Sequence, residues 1–151
     1  MTPYYYILDN LSLFLNNLQS INTVTQGDIY EIDLNKQSIY AIAHIMIGDV
    51  RPTSNTIQFS VSIIFADIVD ESKEPNTSNI IDNTNEIDVL NQMLMAGLET
   101  HQHLLRGDFV TDNIMIVGDP TLQPFTDRFE NKLAGWTLTF DVQTANNVSI
   151  C

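Results

Sequence analysis

From Leu133 onward the chain alternates: Trp136, Leu138, Phe140 and Val142 fall on one side of an extended backbone, and Thr137, Thr139 and Asp141 on the other. Successive side chains of a strand point to opposite faces, so a period of two describes a strand with one buried and one wet face. The pattern recurs over residues 56–68, where Ile57, Phe59, Val61, Ile63 and Phe65 oppose Gln58, Ser60 and Ser62. Two such strands commit the chain to a sheet whose apolar face another layer must cover. Ahead of the last strand, Asp119-Pro120 and Gln123-Pro124 push the backbone out of the helical region. They predict an extended arm or loop at about 118–131 that delivers the chain to the sheet.

The covering layer is legible as two helices. Over residues 3–20, Tyr4, Ile7, Leu8, Leu11, Phe14, Leu15 and Leu18 recur at three- and four-residue spacing, with Pro3 suited to the first helical position. Over 84–105, Ile87, Leu90, Leu94, Leu98, His101 and Leu105 make one stripe, broadened by Met93 and Leu104. That width predicts a helix covered on more than one side, by the sheet and by a neighbour. Asn83 with Glu86 resembles a capping box, and Gly107 is a natural stop.

Between the helices lie three strand candidates, at residues 28–34, 38–47 and 56–68, with a long hairpin loop at 48–55. A short strand at 113–117 precedes the arm. The expected fold is a single α+β domain over residues 1–151, with an antiparallel, mostly meander sheet and two helices packed on one face. A long acidic loop is expected at about 69–83.

Charge sets this chain apart from an ordinary globule. Six Lys and Arg stand against nineteen Asp and Glu, a net charge of −13. Tight nucleic-acid binding needs cations to neutralise phosphates, so this composition argues against it. The lone cysteine, Cys151, excludes an intramolecular disulfide and a Cys-based zinc site. No apolar run reaches the ~20 residues a membrane-spanning helix needs. The N-terminus carries no positive charge and does not read as a secretory signal, so a cytosolic protein with no membrane association is expected.

Chemistry is weakly signalled. There is no Gly-x-Ser-x-Gly and no glycine-rich phosphate loop. The acidic run from Asp82 to Asp88 fails as a calcium loop, because Ile87 stands where glycine is required and Met93 where glutamate is. Glu99, His101 and His103 invite a metal reading, but on a helix only Glu99 and His103 share a face. His44, alone in an apolar strand, reads as a satisfied core residue. No catalytic residues, metal or cofactor are therefore expected, and the chain is not expected to be an enzyme.

One stretch carries a resemblance. An aromatic- and proline-containing loop, then Asp127-Arg128-Phe129, then Leu133-Ala134-Gly135-Trp136 entering a final strand, ends in the polar run Asn146-Asn147-Val148-Ser149-Ile150-Cys151. It resembles the C-terminal part of tail terminator or tail-completion (neck) proteins of tailed double-stranded-DNA bacteriophages. The resemblance implies a structural protein of the virion tail or neck, assembled in the host cytoplasm. It also implies a homo-oligomeric ring, a hexamer in such families, that closes the tail tube and joins it to the head-side connector, with DNA in transit. Fifteen asparagines and long loops are compatible with extensive contact.

Within that reading, Leu122, Phe125, Arg128 and Phe129 are the expected subunit-interface residues. Their apolar side chains lie in a loop where a monomer exposes few, and Arg128 would pair with an acid across the interface. Some acids of residues 28–33 or 67–88 would face the DNA channel in that reading, although scattering over the outer surface for solubility accounts for the acidity more simply. Two other readings fit the composition: an acidic DNA mimic that inhibits a host nucleic-acid-binding protein, and another tail or baseplate ring component.

Overall fold

A computed structural model of the chain describes residues 3–28, 40–69, 86–107, 109, 114–128 and 133–148. Two helices and five strands follow the order α1 (Pro3–Asn16), β1 (Thr23–Gln26), β2 (Ile42–Pro52), β3 (Thr56–Ile68), α2 (Glu86–Arg106), β4 (Ile114–Arg128) and β5 (Leu133–Ala145). The class is α+β, with a mostly antiparallel sheet in the order β1-β2-β3-β5-β4.

That order differs from a meander. The chain leaves the sheet after β3, passes through α2, and lays down β4 one position away from β3; β5 then returns into the gap between them. The insertion pairs the two strands whose alternation is strongest, β3 and β5, over thirteen consecutive positions from Thr56↔Ala145 to Ile68↔Leu133. Their apolar faces coincide: Phe65 lies opposite Trp136, Ile63 opposite Leu138 and Val61 opposite Phe140. The one parallel pair is β1 with β2, from Thr23↔Ile42 to Gln26↔Ile45. No sequence signal anticipated β1, whose four residues are too few to display a period. The expected strand at 28–34 lies outside the described residues apart from Asp28, as does most of the acidic loop.

Two expected loops are largely strand. Residues 48–52 continue β2 beyond a register shift between Ile47 and Val50, so Arg51 still pairs with Gln58 and Pro52 with Ile57. Only Thr53, Ser54 and Asn55 turn. There the Thr56 amide donates to Thr53 Oγ1 at 2.9 Å, and the Thr53 amide to the Thr56 carbonyl at 2.7 Å. The arm at 118–131 is likewise β4 as far as Arg128. Both of its prolines are tolerated because an edge strand bonds on one side only. Gly118, at φ 72°, lies in the shift between Val117 and Thr121, a left-handed conformation that glycine adopts without strain.

α1 ends at Asn16 rather than at 20. Asn16 and Asn17 favour local side-chain bonding over helix, and residues 17–21 close in turns, with Leu18 N bonded to Leu15 O at 3.2 Å. One apolar cluster unites Ile7, Leu11 and Leu15 of α1, Val89, Met93 and Leu104 of α2, and Val61, Ile63, Phe65, Leu138 and Phe140 of the sheet. Ile42, Ile64, Ala66 and Leu133, from the alternate positions of the same strands, form a smaller cluster with Tyr40, Met46 and Phe125 against it.

Candidate interaction surfaces

Of the expected interface residues, Leu122, Phe125 and Arg128 lie in β4. Leu122 pairs with Leu138 and Phe125 with Gly135. Leu122 is half-buried against the main cluster, where its Cδ2 lies 2.9 Å from the position of a β-carbon on Gly97 of α2. Phe125 is half-buried against the smaller cluster. The two therefore serve different clusters of their own chain and do not form one patch in the arm. Arg128 ends β4 opposite Leu133 in the ladder. Phe129 lies outside the described residues.

α2 holds the larger revision. Its expected core stripe was Ile87, Leu90, Leu94, Leu98, His101 and Leu105. The buried residues are instead Val89, Met93, Ala96, Gly97, Thr100 and Leu104. The helix is turned by about a third of a turn, so that a narrow seam of small residues meets the sheet. Ala96 and Gly97 let the backbone approach, Leu122 fills the space at Gly97, and the Thr100 hydroxyl donates to the Ala96 carbonyl at 2.8 Å. Trp136 is half-buried below it and donates its indole N–H to the Leu90 carbonyl at 2.8 Å. The consecutive small residues at 96–97 were the available signal that this face packs closest.

The consequence is an outward apolar row. Ile87 is 53% exposed, Leu98 42% and Leu105 48%, with Met95 at 50% on the flank. Leu94 is half-buried between them. A helix apolar on two faces has one face left for another partner.

Two of the three histidines, His44 and His103, join segments of the fold. His44 is fully buried. Its Nδ1 lies 2.7 Å from Thr25 Oγ1, and its Nε2 lies 3.0 Å from the carbonyl oxygen of Asp28 and 3.2 Å from that of Gly27. Nε2 has two carbonyl acceptors beside it and donates to them, while Nδ1 shares a hydrogen bond with the Thr25 hydroxyl. The residue thus fastens β1 and its exit to β2. His103 joins the helices: Nε2 lies 3.0 Å from Asn10 Oδ1, and the ring stacks on Phe14 at a centroid distance of 4.0 Å. Among the described residues no group of three or more His, Cys, Asp or Glu is placed to hold a metal ion.

A hollow of about 720 Å³ opens between the start of α1 and the β1–β2 edge, lined by Tyr4, Tyr5, Gln26, Asp28 and Met46 among others. Among the described residues it gathers no acid–base pair. Beyond the smaller apolar cluster, the alternate positions of β3 and β5 turn polar: Gln58 donates to Asp141 Oδ2 at 3.0 Å, and Ser62 and Thr139 hydroxyls stand 3.5 Å apart. No described helix is long and apolar enough to cross a membrane.

In comparisons with known proteins, no protein-family model matches this chain and no curated protein matches it significantly.

Proposed function

We propose that the chain is a structural component of a tailed-bacteriophage virion, a tail terminator or closely related neck ring protein. The reading begins from the resemblance of residues 120–151. The observation of the fold that supports it best is the pair of sheet edges. β1 and β4 end the sheet at opposite sides, and among the described residues neither has a ladder partner on its outer side. Edges at opposite ends of one subunit suit a head-to-tail contact, which closes into a ring when the rotation per subunit divides a full turn. Pro120 and Pro124 interrupt the β4 edge, which would restrict such pairing to selected positions and guard against indiscriminate stacking.

In this reading α1 and α2 cover one face of the sheet, and their shared cluster with Val61, Ile63 and Phe65 supports that arrangement. The ring, a hexamer, closes the tail tube and meets the connector, with DNA passing through and not held. The net charge of −13 suits a conduit that must not retain a duplex, since repulsion acts within about a Debye length, ~8 Å at physiological salt. Arg128, at the end of β4, pairs with an acid of the neighbouring subunit.

Light scattering on the purified chain tests this. Assemblies of several times the 17.0 kDa chain, ring-shaped by negative-stain microscopy, are expected. Arg128→Glu is expected to give folded protein that does not assemble. A strict monomer that fails to cap tail tubes would overturn the reading.

A further inference from the structure

The outward row of α2 has a symmetry of its own. Ile87, Leu94, Leu98 and Leu105 are separated by seven, four and seven residues, a spacing that reads the same in both directions about residue 96. All four lie along one side of the helix, away from the face formed by Val89, Met93, Ala96 and Leu104. A row that is its own reverse fits a second copy of itself running antiparallel.

We propose that α2 is an isologous interface, through which two copies of the chain pair antiparallel about a two-fold axis beside residue 96. Ile87 of one copy then meets Leu105 of the second, and Leu94 meets Leu98. Met95, on the flank nearest the axis, meets its own equivalent. Charge fits the same arrangement. Asp88 and Arg106 lie on the same flank five turns apart, so reversing one helix brings Asp88 of each copy beside Arg106 of the other. Parallel packing would instead set Asp88 beside Asp88 and Arg106 beside Arg106. Each Arg106 also lies in the last turn of its helix, where a cation is favoured, and each Asp88 in the first, where an anion is.

The opposing force is the −13 charge on each copy. It is spread over the whole molecule, so charges beyond ~8 Å are screened at physiological salt, whereas the seam is apolar. This pairing does not depend on the ring reading. A two-fold contact through α2 can join single chains or stack two rings.

Cross-linking tests the geometry. In a Cys151→Ser background, Ile87→Cys and Leu105→Cys are made singly and together. Within one chain the two positions are ~27 Å apart along the helix, beyond the ~4.4–6.8 Å Cα separation of a disulfide. The double variant is expected to oxidise to a covalent dimer, and each single variant to remain uncross-linked. Dimers from the single variants would mean parallel packing and overturn the proposal, as would no dimer from any variant. Leu98→Asp, at an exposed position, is expected to leave the secondary structure seen by circular dichroism unchanged and to halve the mass of the assembly measured by light scattering. An unchanged mass would overturn the pairing and leave the ring reading standing. Halving to a single chain would support the pairing while removing the ring.

Discussion

The indole N–H of Trp136 donates to the carbonyl oxygen of Leu90 at 2.8 Å, tying the interior strand β5 to the first turns of α2. The bond holds the helix at one height over the sheet, while the ring itself is only half-buried against the main cluster. Trp136→Phe keeps most of the packing and removes the donor, so a loss of about 1 kcal/mol is expected. Trp136→Ala removes the ring as well and is expected to cost about 2–4 kcal/mol, less than for a fully enclosed aromatic. Chemical denaturation of the two variants reads the difference.

Gly135 and Gly97 are both buried, yet alanine is expected to act very differently at each. A β-carbon on Gly135 would collide with the carbonyl of Phe65, a backbone group in the middle of the β3–β5 ladder. Only strand displacement relieves that clash, so Gly135→Ala is expected to cost about 3 kcal/mol or more. At Gly97 the obstacle is the tip of the Leu122 side chain, which can move. Alanine there also gains about 1 kcal/mol of helix propensity, so the net change is expected to stay within about 1 kcal/mol. Thermal melts of the pair check the ordering.

His44→Phe keeps a flat ring of somewhat larger volume and removes both ring nitrogens. The Thr25 hydroxyl and the carbonyls of Gly27 and Asp28 lose the partner that His44 supplies. A loss of about 1–3 kcal/mol is expected. Hydrogen exchange offers the sharper readout: amides of β1 are expected to lose protection first, while those of the β3–β5 pair keep theirs.

Asp67 gives a pH dependence with a definite sign. Burial near the end of β3 raises its pKa above the ordinary value, opposed in part by the Ile68 amide donating to Oδ1 at 2.8 Å. A raised folded-state pKa means the native chain holds this proton more tightly than the unfolded chain. Ionisation therefore costs stability at neutral pH, and the cost fades as pH falls through the carboxylate range. Asp67→Asn, which can still accept from Ile68, is expected to be more stable than the parent at pH 7. That advantage should vanish near pH 3. Denaturant titrations at the two pH values test it.

Several elements were legible because their signal is local. The alternation at residues 56–68 and from Leu133 depends only on the geometry of a strand, and β3 and β5 occupy those positions. Apolar spacing placed both helices for the same reason. Which face of α2 meets the sheet was not local: both faces are apolar, and the choice fell to the small seam at Ala96 and Gly97, which lets the sheet and Leu122 approach most closely.

The arm around Pro120 and Pro124 carries every local mark of a loop, yet it is strand, because an edge needs hydrogen bonds on one side only and β5 supplies them. With that change Leu122 and Phe125 pack against different clusters of their own chain. β1 is too short to announce itself; it exists through its parallel pairing with β2 and the clasp of His44. Sequence by itself determined the class of the domain and which side chains of β3 and β5 face inward. Tertiary structure decided strand order, helix rotation and which apolar residues remain outside, since each depends on contacts between segments far apart in the chain.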